Sequence, residues 1–402
     1  MNDLRLFLPC AGGVEAFLAE EVARIVPGAR PEPAPGGVRL VPAWRDMLSL
    51  NLRSRLAQRV LVELASGPYA EEAHLYAAAR AVAWEVWFTP RQTFKIDLTA
   101  QHSPLKSLNF AALTVKDALC DRFRERAGGV RPSVDTRWPQ VRVHVHLSAR
   151  DFTLYIDTSG EPLFKRGWRE DTGDAPLKET LAAAMIAASG WDPASGVPLY
   201  DPCCGSGTIV IEAAQMACGI APGALRRFGF ENLLPFRPEP WRAMKTEAAR
   251  GQVEKAQAAF GSDLSHRMAD FAARNAARAG VERAVQIRGG DALQRLPPAD
   301  RPGVLLLNPP YGERIAPGGV ARAGRAGREM AVADGGGDFF QQLAAHWKRH
   351  YAGWTAWVLT PDLKLPGRMR LAESRRVPLW NGPIECRLFR FDLVEGRAKP
   401  AP

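Results

Sequence analysis

The chain has 402 residues, 46% of them hydrophobic and 24% charged, with a formal net charge of +10. This is an ordinary globular composition with room for two or three domains, and its modest basic excess points to a polyanionic partner such as nucleic acid. No run approaches the ~20 apolar residues of a membrane span, six scattered cysteines show no zinc spacing, and Met1-Asn2-Asp3-Leu4-Arg5 opens no signal peptide, so the expectation is a cytoplasmic protein without membrane or metal partners.

Residues 4–8 read as a short strand. Gly12-Gly13 then opens a helix over 14–26, with Phe17, Leu18, Val22 and Ile25 on one face. A Pro-rich break at 31–35 precedes a strand at 37–41. Residues 48–64 mix Leu and Val with Arg53, Arg55 and Arg59, and read as a helix end passing into a strand at 60–64. The stretch 71–83 is helical by composition, and 93–99 alternates like a half-buried strand. A long helix over 106–126 carries Leu108, Ala112, Val115, Leu119 and Phe123 on its apolar face. A hairpin follows. Val141, Val143, Val145 and Leu147 alternate with Arg142, His144 and His146; after a turn at 148–151, Phe152, Leu154 and Ile156 alternate with Thr153, Tyr155 and Asp157. His144 and His146 share a face, but a metal needs a third ligand, so they read as solvated. The order is α+β rather than a repeating βαβ unit.

Residues 161–176 form a junction. Its Lys165, Arg166, Trp168 and Arg169 suit RNA contact by composition; a linker with its Trp packed at the seam is the alternative. A helix with Pro176 near its first turn runs from 174 to 189. A buried strand at 196–200 and a helix at 209–216 flank Asp201-Pro202-Cys203-Cys204-Gly205-Ser206-Gly207-Thr208. An acidic residue and a Gly-x-Gly turn thus sit where a strand hands over to a helix. The glycines let a ligand approach the backbone, and the helix start offers free N–H groups.

Residues 219–241, rich in Pro, Gly and aromatics, read as an insertion on the rim of a sheet. A helix at 240–257, a strand at 260–263 ending in Asp263, a helix at 264–279 and a strand at 284–288 come next, then Gly289-Gly290-Asp291-Ala292. The run Val304-Leu305-Leu306-Leu307 reads as another buried strand and leads into Asn308-Pro309-Pro310-Tyr311. The two prolines hold the chain extended, so Asn308 and the Pro309 carbonyl both project from the strand's end. Residues 313–338, with Arg322, Arg325 and Arg328, show no period and read either as a basic lid or as a disordered insertion. A helix at 339–351, a strand at 355–359, a basic cluster (Arg368, Arg370, Arg375, Arg376) and a hairpin around Asn381-Gly382-Pro383 close the chain.

The D-P-x-C-G-S-G-T and N-P-P-Y motifs together resemble those of class I S-adenosylmethionine-dependent methyltransferases acting on an amino group. The phrases Gly13-Val14-Glu15-Ala16-Phe17-Leu18-Ala19-Glu20-Glu21 and Phe164-Lys165-Arg166-Gly167-Trp168-Arg169 resemble the ferredoxin-like segment and THUMP module of certain RNA methyltransferases. The ending Asn381-Gly382-Pro383-Ile384-Glu385-Cys386 is similar to that of bacterial 23S rRNA guanine-N2 methyltransferases with THUMP domains. Cys203 and the Gly/Arg-rich stretch at 316–337 depart from the pattern.

The resemblance implies an α/β fold: a Rossmann-like class I methyltransferase domain at 177–402, preceded by an α+β half. That half would be a ferredoxin-like segment (1–65), a THUMP RNA-binding domain (66–160) and a linker (161–176). It implies S-adenosylmethionine as cofactor, held by Asp201, Pro202, Gly205, Ser206, Gly207, Thr208 and Asn308. Asp263 would grip the ribose beside Leu264, and Asp291 the adenine amine beside Ala292. Asn308 and the Pro309 carbonyl would accept the two amine hydrogens, and Tyr311, after Pro310, would stack on the base. Lys165, Arg166, Trp168, Arg169 and Arg314 would touch RNA, with rRNA preferred over tRNA, and a monomer is expected. Cys203 and Cys204 sit inside the cofactor turn, which argues against a cytosine-C5 nucleophile. The rival readings are a tRNA guanosine-N2 enzyme of the same architecture, an enzyme acting on a protein glutamine amide, and a non-catalytic RNA-binding protein.

Overall fold

The computed structural model describes residues 4–173, 176–309 and 336–394. The chain divides into two units. The first takes the residues up to Cys10, Leu18–Leu163 and Gly223–Glu247; the second takes Ala11–Phe17, Phe164–Pro222 and the chain from Ala248 onward.

The first unit is a seven-stranded sheet. Its strands are β1 (Leu6–Pro9), β2 (Glu32–Ala34), β3 (Gly37–Leu40), β4 (Leu61–Pro68), β5 (Phe94–Ala100), β6 (Val141–Leu147) and β7 (Asp151–Asp157), in the order β2-β3-β1-β4-β7-β6-β5. β4 pairs with β1 on one side and β7 on the other, so one sheet runs through the ferredoxin-like and THUMP-like parts. The helices are α1 (Glu15–Ile25), whose residues from Leu18 belong to this unit, α2 (Trp44–Arg53), α3 (Glu72–Ala81) and α4 (Leu108–Arg126). All pairings are antiparallel except β5 with β6, which α4 connects as a crossover.

Three local expectations shift here. The Pro-rich break holds strand β2, whose Pro33 is tolerated because β2 lies at the sheet's edge. The Ser107 side chain accepts from Phe110 N–H and so starts α4 two residues later than expected; its buried face is Ala111, Val115, Ala118, Leu119, Cys120 and Phe123, while Leu108 is exposed. The presumed rim insertion instead completes this first unit. Phe230 N–H donates to the Thr158 carbonyl (2.8 Å), Leu234 N–H to the Trp87 carbonyl (2.8 Å), and Phe228, Phe230 and Trp241 pack ring on ring.

The second unit holds α5 (Glu179–Ser189), β8 (Leu199–Asp201), α6 (Thr208–Ala217), β9 (Ala259–Asp263), α8 (His266–Arg278), β10 (Val285–Gly289), β11 (Val304–Leu307), α9 (Gly336–His350), β12 (Thr355–Thr360), α10 (Leu365–Met369), β13 (Arg375–Asn381) and β14 (Ile384–Asp392); α7 (Pro238–Arg250) spans the boundary between the units. Pro176 lies ahead of α5 and not in its first turn. The strand order is β10-β9-β8-β11-β12-β14-β13, parallel except that β14 runs against both neighbours. The chain starts at the inner strand β8, winds outward to β10, then returns to β11 on the other side. The switch point therefore falls between β8 and β11, where ligands of doubly wound sheets bind. This is the Rossmann-like class I methyltransferase fold. Among the described residues no helix is long and apolar enough to cross a membrane.

Candidate active site

β8 is buried along its length, and its last residue, Asp201, is 2% exposed. The Asp201 carboxylate accepts from Cys203 N–H (2.9 Å). Burial pushes the Asp201 carboxyl up to about 8, and the nearby charge of Asp263 adds to the rise. The chain then turns through Gly205 (φ 54°) and Gly207 (φ 89°) into α6. A Cβ on Gly205 would meet nothing within 4 Å, so the turn faces open space there; on Gly207 it would press Ala272 and Ile211 at 3.0–3.1 Å. One glycine thus leaves room for a ligand, and the other lets helix pack on helix. α6 begins after Gly207 with no side-chain cap.

Parallel pairing aligns Asp201 with Gly261, which sets Asp263 at the end of β9 beside the turn. One Asp263 oxygen accepts from Gly205 N–H and the other from Ser265 N–H, both at 2.9 Å. The carboxylate therefore ties the two strand ends together. Leu264 next to it is 46% exposed. Gly290 N–H donates to the Asp263 carbonyl (2.9 Å), which brings in the end of β10. Asp291 follows and accepts from Leu293 N–H, while Ala292 is buried in the core with Tyr200 and Phe260.

Asn308 comes directly after β11, whose Val304 and Leu305 pair with Leu199 and Tyr200 of β8. The parallel register brings it to the same end of the sheet as Asp201. Its Oδ1 is buried and has no hydrogen-bond partner among the described residues. Leaving a buried acceptor unmade costs about 1–3 kcal/mol, so such an atom calls for an explanation. Pro309 is buried. Pro310, Tyr311 and Arg314, and the lid expectation with Arg322, Arg325 and Arg328, lie outside the described residues.

Residues 166–390 match the RMKL-like methyltransferase domain model. The chain belongs to that family. Residues 69–157 match the THUMP domain, and 5–61 the ferredoxin-like domain of RlmL. The chain is 37% identical over 401 residues to a ribosomal RNA large subunit methyltransferase K/L of Psychromonas ingrahamii, covering 98% of this chain and 51% of that protein. It thus spans about half the length of the curated relatives it matches. Among solved structures, a protein named only as a methyltransferase and complexed with SAH superposes with a TM-score of 0.84 at 25% identity, covering 99% of this chain and 100% of that one. A Listeria monocytogenes protein, named as a predicted N6-adenine-specific DNA methylase, gives 0.82 at 28% identity, covering 97% and 96%.

In this RMKL-like chain Arg166, Trp168 and Arg169 of the junction segment turn inward, against their expected place at RNA. Arg166 is 2% exposed and pairs with the fully buried Glu212 of α6 (Nε to Oε1, 3.0 Å). Trp168 is 1% exposed. Arg169 donates to Glu179 (2.8 Å), to the Ser206 hydroxyl (2.7 Å) and to the Thr208 hydroxyl (2.8 Å). Burial pushes the Glu179 carboxyl up while Arg169 draws it down. Lys165 alone of the four is exposed. Glu179, Ser206, Thr208 and Glu212 all belong to the second unit, and the segment packs within it.

Two supporting residues of the RMKL-like site had no motif to announce them. Asn275 on α8 is fully buried; its Nδ2 donates to the carbonyls of Ser206 (3.1 Å) and Asp171 (2.8 Å). The signal was an amide on a helix stripe of Ala269, Ala272 and Ala276, where it must find partners. The other is Glu179, in the first turn of a helix that is buried nearly all round. Burial and the neighbouring carboxylates push the Cys203 and Cys204 thiols well up. His144 is covered rather than solvated, with Nε2 3.3 Å from Asp157, and His146 lies 3.0 Å from the Thr99 hydroxyl. No group of three or more metal-ligating side chains gathers among the described residues.

Proposed function

We propose that this protein transfers a methyl group from S-adenosylmethionine to the exocyclic N2 amine of a guanosine in RNA, with large-subunit rRNA as substrate. The observation that carries the reading is the buried Asn308 oxygen at the switch point, beside the Asp201 turn, which has no hydrogen-bond partner among the described residues. The cofactor is a cation at its ammonium and sulfonium, and such a charge draws down the Asp201 carboxyl that burial and the neighbouring Asp263 push up. Open space over Gly205 and the uncapped start of α6 fit its approach. We assign its hold to Asp201, Pro202 and Gly205 and to the backbone of Ser206, Gly207 and Thr208, with Asp263 and Leu264 at the ribose and Asp291 and Ala292 at the adenine. When bound, it supplies an electrophilic methyl group.

A guanine N2 amine is a weak nucleophile, since its lone pair is delocalised into the ring. Asn308 Oδ1 and the Pro309 carbonyl take its two hydrogens. The lone pair is then turned out of the ring plane, and the positive charge that develops on nitrogen is dispersed. Tyr311 stacks on the base, which must leave its helix to enter.

Gly205→Val tests the cofactor site. The branched side chain fills the open space, and positive φ adds ~1–2 kcal/mol of strain. Calorimetry with S-adenosylhomocysteine should show on the order of a tenfold loss of affinity or more; wild-type affinity would move the cofactor elsewhere.

RNA affinity we assign to the first unit. Trp138 there is 74% exposed, on a turn fixed by Asp135, whose carboxylate accepts from Arg137 and Trp138 N–H at 2.9 Å. An exposed aromatic beside arginine suits an unpaired base. RNA binding should fall steeply with salt, and Trp138→Ala should cost ~1–3 kcal/mol of it. A flat salt response with an unchanged Trp138→Ala would remove the RNA role from this surface.

The whole reading is tested by methyl transfer from labelled cofactor into rRNA and tRNA of a strain lacking the gene, followed by nucleoside analysis. Label in N2-methylguanosine of rRNA is expected. Label only in tRNA selects the tRNA reading, and label in N6-methyladenosine replaces guanine by adenine. Bound cofactor without label in any RNA leaves an RNA-binding protein.

A further inference from the structure

Helices usually begin with a Ser, Thr, Asp or Asn whose oxygen accepts from the first free N–H groups. α6 does not. Its cap position is Gly207, and no side chain caps it. Yet Ser206 and Thr208 stand on either side of that glycine. Their hydroxyls are engaged elsewhere: Arg169 Nη1 donates to Ser206 Oγ (2.7 Å), and Nη2 to Thr208 Oγ1 (2.8 Å). The same guanidinium donates to Glu179 Oε1 (2.8 Å) and lies 4.9 Å from the Trp168 ring. Asn275 holds the Ser206 carbonyl from the other side (3.1 Å).

A guanidinium beside a helix N-terminus sits at the unfavourable end of the helix dipole. Glu179, buried at the start of α5, supplies the compensating charge. Ser and Thr hydroxyls compete readily for nearby backbone groups. Left to themselves, these two would fold onto the N–H groups of the first turn and occupy them.

We propose that Arg169 is a positioning residue that holds the Ser206 and Thr208 hydroxyls away from the α6 N-terminus, keeping its N–H groups open for the cofactor. This rests on the reading that the Asp201 turn receives S-adenosylmethionine. Arg169 itself touches no reacting atom.

The test compares S-adenosylhomocysteine affinity by calorimetry in wild type, Arg169→Ala and the triple variant Arg169→Ala/Ser206→Ala/Thr208→Val. Arg169→Ala should weaken binding by about tenfold or more, with KM for the cofactor rising by more than kcat falls. The triple variant should bind more tightly than Arg169→Ala, because no hydroxyl is left to block the helix start. A purely structural brace predicts the opposite order, since further side chains have been removed. Unchanged affinity in Arg169→Ala, or a triple variant no better than it, overturns the proposal. Should Arg169→Ala fail to fold, Arg169→Lys keeps a counter-charge for Glu179 but cannot serve both hydroxyls. It should lose affinity, and removal of the hydroxyls should restore it; wild-type affinity in Arg169→Lys overturns the proposal. A wild-type protein that binds no S-adenosylhomocysteine overturns the cofactor reading itself, which separates the two failures.

Discussion

Asn308→Ala is expected to slow methyl transfer by on the order of a hundredfold or more without lowering the melting temperature. The two halves of that expectation have one cause. Asn308 Oδ1 is buried and makes no hydrogen bond among the described residues, so its removal breaks no hydrogen bond to that oxygen among them and relieves an orphaned acceptor. The transition state does lose something, an acceptor already aimed at the amine, and one such group typically contributes ~3 kcal/mol. Single-turnover methylation at saturating cofactor is the measurement, beside a thermal melt. Asn308→Asp keeps an acceptor but adds charge at the guanine edge, so partial activity is expected. Wild-type single-turnover rates in Asn308→Ala would refute the amine-acceptor mechanism.

Arg166→Ala is expected to cost ~3–5 kcal/mol of stability, because it strands Glu212 as a buried charge without its guanidinium. Both side chains are almost wholly covered, at 1% and 0% exposure. Urea unfolding of the full chain reads the loss. Arg166→Met combined with Glu212→Gln removes both charges and should recover much of it, since a neutral pair of similar size leaves no ion uncompensated. A loss below ~1 kcal/mol for Arg166→Ala is what an exposed, RNA-facing arginine would give, and would reject the buried pair.

That arginine shows where reading residues in order falls short. Lys165, Arg166, Trp168 and Arg169 read as an RNA contact because charge and an aromatic stood together, with their partners far along the chain. Glu212 held the missing signal. It stands among Ile209, Val210, Ile211, Ala213 and Ala214 in a helix buried almost all round, and a carboxylate there requires a cation. The motifs were legible for the opposite reason: strand, turn and helix start follow one another in sequence at Asp201–Thr208, and strand and prolines do so at Asn308. Their meeting was not legible, because it depends on β11 pairing with β8, a register that no local pattern specifies. The stretch before Trp241 failed in the same way. Its aromatics promised burial, but the carbonyls that Phe230 and Leu234 join, those of Thr158 and Trp87, belong to the other half of the chain.

On the ribosome, the second unit is begun before the first is complete. The first sheet has all its strands once Asp157 has been made. Phe228, Phe230 and Trp241, which complete that unit, follow only after β8 and α6 of the second have left the exit tunnel. Until then the nascent first unit lacks its aromatic cover, and only one strand of the second sheet, β8, has been made. Sequential, unit-by-unit folding is the usual safeguard for long chains. Here the order of synthesis defers it until residues 223–247 appear.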